Sequence, residues 1–116
     1  MSASTCLFCR IVRRELPATI VYENDEVLAF QDIAAKAPVH LLIIPKTHVD
    51  GLQALAGSDA AIVSSLFACA SRLATQSGIA SSGYRTVINV GPDGGQTVFH
   101  LHVHLLGGRP MTWPPG

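Results

Sequence analysis

The 116-residue sequence predicts an α+β domain in which helices cover an antiparallel sheet. Three observations support this fold class. One long segment carries apolar residues at helical spacing, shorter strand-like segments are separated by turn signals, and the run VFHLHVHLLGG (residues 98–108) alternates with a period of two. Because adjacent strands joined by a short loop are most simply antiparallel, we expect a meander-like sheet. The apolar face of the histidine-containing strand is expected to meet the helices.

The first half of the chain predicts one short helix and three strands. Residues 6–15 carry apolar side chains at helical spacing, and this pattern stops before Pro17, where a helix is disfavoured. The turn-like pair Asn24-Asp25 separates two strand-like runs, which are predicted to form a hairpin. The predicted strands are residues 19–23, residues 27–32 and Val39–Pro45, the last of which is a continuous apolar run containing His40.

The second half predicts one long helix and two strands around a glycine-rich turn. Ser58-Asp59 is a plausible N-cap for the helix, and Gly78 fits its end. One helical stripe is expected to face the core and consists of Ile62, Leu66, Ala70 and Leu73, with Cys69 beside it. The predicted strands are residues 84–90 and 98–108, and residues 91–95 form the turn between them.

Composition narrows the class of function. The eight Lys and Arg residues balance the eight Asp and Glu residues and form no basic stripe, which argues against a nucleic-acid polymer as ligand. No apolar run reaches the length of a membrane span, and the N-terminus lacks the hydrophobic middle of a signal peptide. We therefore expect a single cytoplasmic domain over residues 1–116 that binds a small ligand or a protein.

Three histidines, His100, His102 and His104, occupy alternate positions of the last predicted strand and so share one face. They could simply form the polar face of an amphipathic strand. One metal ion cannot bind all three, because the first and last lie about 13 Å apart at about 3.3 Å per residue. The spacing suits catalysis better than metal binding, because one imidazole can attack a phosphorus atom while its neighbour protonates a leaving group or binds a phosphate oxygen.

The loop GPDGGQTVFH precedes the histidines and is a candidate anion-binding loop. Its glycines allow the backbone to approach a ligand closely, so Gly95, Thr97 and Val98 could direct N–H groups, with the Thr97 hydroxyl, at an anion. The alternative is that the loop only reverses the chain direction.

The pattern H-L-H-V-H-L-L resembles that of the histidine triad family, and the C-terminal GGQTVFHLHVHLLGGRPMTWPPG resembles its Hint branch, the histidine triad nucleotide-binding proteins. The similarity extends upstream through LAFQDIAAKAPVHLLIIPKTH and YRTVINVG. It implies a HIT-like fold with a five-stranded antiparallel sheet, a short N-terminal helix and one long helix. It also implies a homodimer with a continuous sheet, a core of about residues 6–107 and a C-terminal tail over residues 108–116.

The activity implied by the resemblance is hydrolysis of the P–N bond in purine nucleoside 5′-phosphoramidates. The middle triad histidine, His102, corresponds to the nucleophile that forms a nucleotidyl-histidine intermediate. His104 corresponds to the residue that binds a phosphate oxygen and assists proton delivery to the amine, with Thr97 beside it where the family usually has serine. His40 corresponds to a histidine that orients or relays a proton to the nucleophile, although its residue pattern alone also fits a buried core histidine.

The resemblance also assigns the nucleotide contacts. Asp32 corresponds to the carboxylate that accepts hydrogen bonds from both ribose hydroxyls. Asn89 and Gly95 correspond to phosphate-side contacts, and Trp113 lies in a tail that reaches toward the partner subunit. The residues corresponding to the apolar slot for the base, some of which are ordinary core on the alternative interpretation, are Phe8, Ile11, Leu16, Phe30 and Ile33.

The pair Cys6 and Cys9 at C-x-x-C spacing could be metal ligands, a redox pair or two buried thiols. In other branches of the superfamily such a pair binds zinc together with the histidine of a P-K-x-H segment and the first triad histidine, here His48 and His100. Two thiolates and two imidazoles complete a tetrahedral zinc set, which implies a closed structural site. No organic cofactor is expected.

Two classes of function remain open from the sequence. The first is an enzyme that hydrolyses nucleoside phosphoramidates or related aminoacyl adenylates through His102. The second is a nucleotide-binding interaction module in which catalysis matters little. Dinucleoside polyphosphate hydrolysis, as in the Fhit-like branch, is disfavoured because the last triad histidine is present and the WPPG ending belongs to the Hint pattern.

Overall fold

The computed structural model describes residues 5–116 and contains a five-stranded antiparallel sheet with one short and one long helix. The predicted α+β class is therefore confirmed. Residues 1–4 of the predicted domain lie outside the described residues. In chain order the elements are α1 (Leu7–Val12), β1 (Ile20–Glu23), β2 (Val27–Gln31), β3 (Val39–Pro45), α2 (Ala60–Gln76), β4 (Tyr84–Val87) and β5 (Val103–Gly107).

The strand order in the sheet is β1-β2-β3-β5-β4, and every neighbouring pair is antiparallel. The expected meander is wrong for the last two strands, because β5 lies between β3 and β4. The long segment that carries α2 separates β3 from β4, so β4 forms an edge and β5 returns to the inside of the sheet. This position places His104 opposite Leu42 of β3 and Val87 of β4.

Different helices cover the two faces of the sheet. α2 buries Leu66, Cys69, Ala70, Leu73 and Ala74 in a cluster that also contains Leu101, Val103 and Leu105. α1 buries Phe8, Cys9 and Ile11 in a second cluster with Leu28, Phe30, Leu42 and Ile44. The expectation that the helices meet the apolar face of the histidine segment is correct for α2 and wrong for α1, which lies on the histidine face. Burial from both sides explains why β2 and β3 are near-continuous apolar runs.

The predicted histidine strand is shorter than expected. Only Val103–Gly107 pairs in the sheet, so His100 and His102 precede β5. The Leu101 N–H donates instead to the Val49 carbonyl at 2.6 Å, which holds this part of the chain against the loop after β3. Phe99, predicted on the apolar face, is 36 % exposed.

The helix ends differ from the predictions by a few residues. α1 ends at Val12 rather than residue 15, and Arg14 follows with a positive φ of 63°. α2 starts directly after Asp59, but the Asp59 carboxylate accepts from the Ala56 N–H at 2.8 Å instead of capping the helix. Gly78 has a φ of 76° just beyond the helix, which is the left-handed conformation predicted for its end. Among residues 5–116 no helix is both long and apolar enough to cross a bilayer.

Candidate active site and metal cluster

His102 is buried, at 6 % exposure, and a hydrogen bond to a nearby backbone carbonyl fixes the orientation of its ring. Its Nδ1 lies 2.7 Å from the His100 carbonyl oxygen. Because a carbonyl only accepts, Nδ1 carries the proton and Nε2 keeps its lone pair. Burial lowers the pKa of His102 and so favours this neutral form. The result is an imidazole whose free nitrogen is Nε2.

His104 lies beside His102, with ring centroids 5.0 Å apart, and forms a chain of hydrogen bonds with His40. The Lys36 N–H donates to His40 Nδ1 at 3.0 Å, so the proton of neutral His40 is on Nε2. That Nε2–H lies 2.9 Å from His104 Nδ1, which therefore accepts. His104 consequently presents its own N–H at Nε2.

Burial favours the neutral form of both rings in this chain. It lowers the pKa of His40, and it lowers the pKa of His104 to about 4 with help from the neighbouring His102 and His40. The hydrogen-bond pattern has the same effect. A second proton on His104 would oblige His40 to carry its proton on Nδ1, where it would meet the Lys36 N–H.

Asp32 directly follows β2, and its carboxylate lies next to His40 in this series of hydrogen bonds. Its Oδ2 is 3.3 Å from His40 Nε2, and its Oδ1 accepts from the Ala34 N–H at 2.8 Å. Asp32, His40 and His104 bring three potential metal ligands together. A metal bound there would have to displace the proton that His40 Nε2 donates to His104. The three residues form a hydrogen-bonded group centred on His40.

A cavity of about 370 Å³ opens beside the histidines. Phe8 from α1 forms part of its wall, and the Phe8 ring lies edge-on to His102 and Phe30 at centroid distances of 5.2 and 5.4 Å. The predicted nucleotide-contact residues that line the cavity are Phe8, Ile11, Leu16, Phe30, Asp32, Ile33, Thr97, Val98, His102 and His104. The core interpretation also holds for Phe8, Ile11 and Phe30, which are buried, whereas Ile33 is fully exposed.

The glycine-rich loop is ordered by its own hydrogen bonds. Gly91 and Gly95 have φ values of 69° and 79°, a conformation that favours glycine. The Gly95 N–H donates to the Pro92 carbonyl at 3.1 Å, so it is not directed at a ligand as expected. Asn89 Nδ2 donates to the Gly94 carbonyl at 2.7 Å, and neither Asn89 nor Gly95 lines the cavity.

Two amides of this loop remain available to an anion. The Thr97 and Val98 N–H groups make no hydrogen bond within residues 5–116, and both residues line the cavity next to His102. Thr97 and Val98 therefore stay candidates for the predicted anion contact, because both residues line the same cavity as His102 and His104.

Cys6, Cys9, His48 and His100 form a compact cluster whose ligand atoms lie within 4.8 Å of one another. Cys6 Sγ is 3.3 Å from His100 Nδ1, and Cys9 Sγ is 3.3 Å from His48 Nδ1. Tetrahedral zinc with Zn–S of about 2.3 Å and Zn–N of about 2.0 Å requires S···N separations of roughly 3.5 Å. The spacing therefore fits zinc.

The outer partners of the cluster orient both imidazoles toward the thiols. His100 Nε2 donates to the Pro45 carbonyl at 2.8 Å, and His48 Nε2 donates to the Asp50 carboxylate at 2.7 Å. Each ring therefore keeps its Nδ1 lone pair for a metal. Burial and the neighbouring Cys6 raise the pKa of Cys9 to about 11, so a bound cation must displace a thiol proton. Cys69, the third cysteine, lies in the core beneath α2 as predicted.

Comparison with protein families gives a match to the HIT domain over residues 13–111. The chain belongs to the HIT family. A HIT family hydrolase from Legionella pneumophila superposes with a TM-score of 0.95 and 49 % sequence identity, covering 97 % of this chain and 100 % of that one. This confirms the HIT-like fold.

Two plant relatives extend the comparison to Hint-like proteins. The 14 kDa zinc-binding protein of Zea mays is 51 % identical over 97 % of this chain and 89 % of its own length. The adenylylsulfatase HINT1 of Arabidopsis thaliana is 48 % identical over 99 % of this chain and 79 % of its own length. The Cys2His2 cluster of this HIT protein is consistent with the name of the maize relative.

The sequence interpretation missed several residues that support the site. Asp50 orients His48, and the H-x-D spacing was a readable signal for it. The backbone of Lys36 fixes the His40 tautomer, which no sequence pattern indicates. Gln96 is buried inside the glycine-rich loop, where its position beside Thr97 was the available signal.

The predicted tail residue Trp113 lies outside the cavity and is 82 % exposed. Two arginines hold the tail in place: Arg85 donates to the Thr112 carbonyl at 3.0 Å, and Arg109 donates to the Lys36 carbonyl at 2.9 and 3.2 Å. Contact of Trp113 with nucleotide or with a partner subunit stays a prediction.

Proposed function

We propose that this protein hydrolyses purine nucleoside 5′-phosphoramidates to the nucleoside 5′-monophosphate and an amine. The observation that carries the proposal is the hydrogen bond from His102 Nδ1 to the His100 carbonyl, because it leaves the Nε2 lone pair for attack beside the cavity. The HIT hydrolase fold supports the reaction class.

In the first half-reaction, His102 Nε2 forms a bond to phosphorus while the P–N bond breaks. The electron pair of the P–N bond goes to nitrogen, which also takes one proton as the amine leaves. His104 supplies this proton and therefore enters the step charged. This requires the bound anionic phosphoryl group to outweigh the burial that lowers the pKa of His104 in the free protein, and it requires His40 Nε2 to accept from His104 rather than donate. In the second half-reaction, water attacks phosphorus, the bond to His102 breaks, and His104 takes up the released proton.

The rest of the cavity is proposed to hold the nucleotide. Asp32 accepts hydrogen bonds from the ribose hydroxyls, for which a carboxylate has enough lone pairs. Phe8 and Phe30 offer apolar ring edges to the base, and the amides of Thr97 and Val98 face the phosphoryl oxygens. We also propose that Asn89 and Gly95 shape the part of the site that holds the phosphate.

Zinc is proposed as a structural ion held by Cys6, Cys9, His48 and His100. Four protein ligands leave no open position, so its contribution is to join α1 to the segment before β5. No step of the reaction passes through the metal.

A second substrate class is adenylylsulfate. The 48 % identical Arabidopsis relative is named an adenylylsulfatase, and the same attack by His102 on an adenylyl phosphorus would release sulfate. Sulfate leaves as a stable anion and needs no proton, so this reaction depends less on His104. Aminoacyl adenylates, with a carboxylate leaving group, belong to the same chemical class.

We further propose a single-domain, cytoplasmic homodimer. The edge strand β4 supports the dimer, since its outer side makes no strand pairing within residues 5–116. The three cysteines of the chain are free, which fits a reducing compartment.

The test is steady-state hydrolysis of adenosine 5′-phosphoramidate and of adenylylsulfate by the wild type and by His102→Ala, with trapping of any adduct. We expect turnover of the phosphoramidate, an adenylyl adduct on His102 and a loss of at least about 1,000-fold in the variant, since removal of a nucleophile costs this order of rate. Tight AMP binding without turnover of either substrate would instead favour the interaction module. Near wild-type turnover by His102→Ala would remove His102 from the mechanism.

A further inference from the structure

Gln96 is a buried polar residue in an otherwise exposed loop. Among residues 5–116, four polar or charged side chains are buried; three are the histidines His40, His100 and His102, and the fourth is Gln96 at 7 % exposure. Its two neighbours in the loop, Gly95 and Thr97, are exposed. A buried amide needs partners for both donors and for its oxygen, so its contacts show which parts of the chain it connects.

Every hydrogen-bonding group of the Gln96 side chain is used on backbone atoms. Oε1 accepts from the Gly91 N–H at 3.1 Å. Nε2 donates to the Asp50 carbonyl at 2.8 Å and to the Val98 carbonyl at 3.3 Å. The Gln96 N–H adds a fourth bond, to the Gly91 carbonyl at 3.0 Å.

These contacts fix both ends of the loop that carries the free amides. The bonds to Gly91 close the glycine-rich turn, and the bond to Val98 sets the direction of the chain just before His100. The bond to Asp50 anchors the loop to the segment whose carboxylate orients His48. Thr97 and Val98 lie between these fixed points, line the cavity, and have N–H groups without a hydrogen-bond partner within residues 5–116.

We propose that Gln96 is a positioning residue that holds the Thr97 and Val98 amides in place for the phosphoryl group of the nucleotide. The inference rests on the proposed function and names a residue that acts on phosphate through the loop. A side chain with two donors and one acceptor is required, since two of its partners are carbonyls and the third is an N–H. Glutamate keeps the acceptor but directs lone pairs at the Asp50 and Val98 carbonyls, and methionine has neither donors nor an oxygen.

The experiment compares AMP with adenosine, which differ only in the phosphate. Affinities for both are measured by calorimetry for the zinc-loaded wild type, Gln96→Met and the control Gln53→Met, an exposed glutamine on the neighbouring turn. We expect Gln96→Met to bind AMP about tenfold more weakly, which corresponds to one lost phosphate hydrogen bond of about 1.4 kcal/mol, and to bind adenosine unchanged. Gln53→Met should bind both as the wild type does.

A merely structural role for Gln96 predicts a different result, in which the melting temperature falls and the affinities for AMP and adenosine change together or not at all. That result overturns the proposal. If Gln96→Met does not fold, Gln96→Glu is measured in the same way, and the same selective loss for AMP is expected. Because AMP binding requires no turnover, this comparison remains decisive for Gln96 even if the wild type fails to hydrolyse any phosphoramidate.

Discussion

At the residue scale, backbone atoms decide the protonation pattern of the histidines. The His100 carbonyl sets the His102 tautomer, and the Lys36 N–H sets that of His40, which in turn sets that of His104. The alternation of histidines in the sequence predicted that three imidazoles share one side, and the structure places all three there. Which nitrogen carries each proton depends on where the folded backbone places the His100 carbonyl and the Lys36 N–H around the rings, so spacing alone could not predict it.

The lowered pKa of His104 predicts a specific dependence of stability on pH. The ordinary pKa of histidine is 6.5, and burial lowers the pKa of His104 in the folded protein to about 4. Between these pH values the unfolded chain therefore binds a proton at His104 that the folded chain does not bind. Stability should therefore fall as the pH drops from 6.5 toward 4. The groups facing His104 are His102 and His40, which oppose its charge, and Asp32, which favours it.

This prediction is tested by measuring the free energy of unfolding by chemical denaturation between pH 7.5 and 4.5, with His104→Asn as the matched variant. The variant should lose less stability than the wild type over the interval, because it lacks the group that must be charged. Parallel pH curves for the two proteins would contradict a buried neutral His104.

At the scale of elements, the sequence predicted best those elements whose structure depends on local residue pattern, and worst those that depend on distant contacts. Val39–Pro45 was predicted with its observed bounds, because a strand buried on both faces needs a continuous apolar run. The segment before β5 was predicted wrongly as strand, because its alternation is real but its Leu101 N–H donates to the Val49 carbonyl rather than to a neighbouring strand. On the side of the sheet that α1 covers, its apolar residues pack on β2 and β3, and the thiols of Cys6 and Cys9 contact His100 and His48.

The short helix α1 is expected to depend on metal for its docking. Cys6→Ser should lower the zinc content well below one ion per chain and reduce the unfolding free energy by about 3 kcal/mol when free zinc is a hundredfold above its Kd. Metal analysis combined with thermal unfolding measures both effects.

Cys69→Ala is the matched control, because Cys69 is also buried but belongs to α2, on the other face of the sheet. It should retain zinc, and a chelator should lower its melting temperature as it does for the wild type. Purified wild-type protein that contains no zinc after expression in zinc-supplemented medium would refute the assignment.

At the scale of the whole molecule, the strand order was the part least accessible from the sequence. Local pairing signals identify the β1–β2 hairpin, but the return of β5 between β3 and β4 depends on the path of the chain through α2. The same order leaves β1 and β4 as the two edges of the sheet. A continuous sheet across a dimer therefore has two candidate edges, and the resemblance to Hint proteins does not by itself distinguish them.

We expect the dimer to form through β4. Tyr84→Lys on this edge should place like charges across the interface and shift the protein to a monomer of about 12.3 kDa, whereas Val21→Lys on the β1 edge should remain dimeric. Light scattering after size exclusion distinguishes the masses. A wild-type monomer would refute the dimer, and dissociation by Val21→Lys alone would assign it to the other edge.

The placement of Leu7 and Phe8 between the two cysteines has a practical consequence for altering the pocket. Both residues line the cavity, and zinc bound by the flanking thiols would anchor the helix at two points. With zinc bound, the exposed Leu7 can be randomised in a library at constant backbone register, whereas the buried Phe8, which packs on Phe30 and His102, tolerates only apolar side chains of similar size. An insertion between the cysteines would instead displace the pocket wall and the metal ligands together. A library that varies the number of residues between the cysteines should therefore yield far fewer folded clones than a library of substitutions.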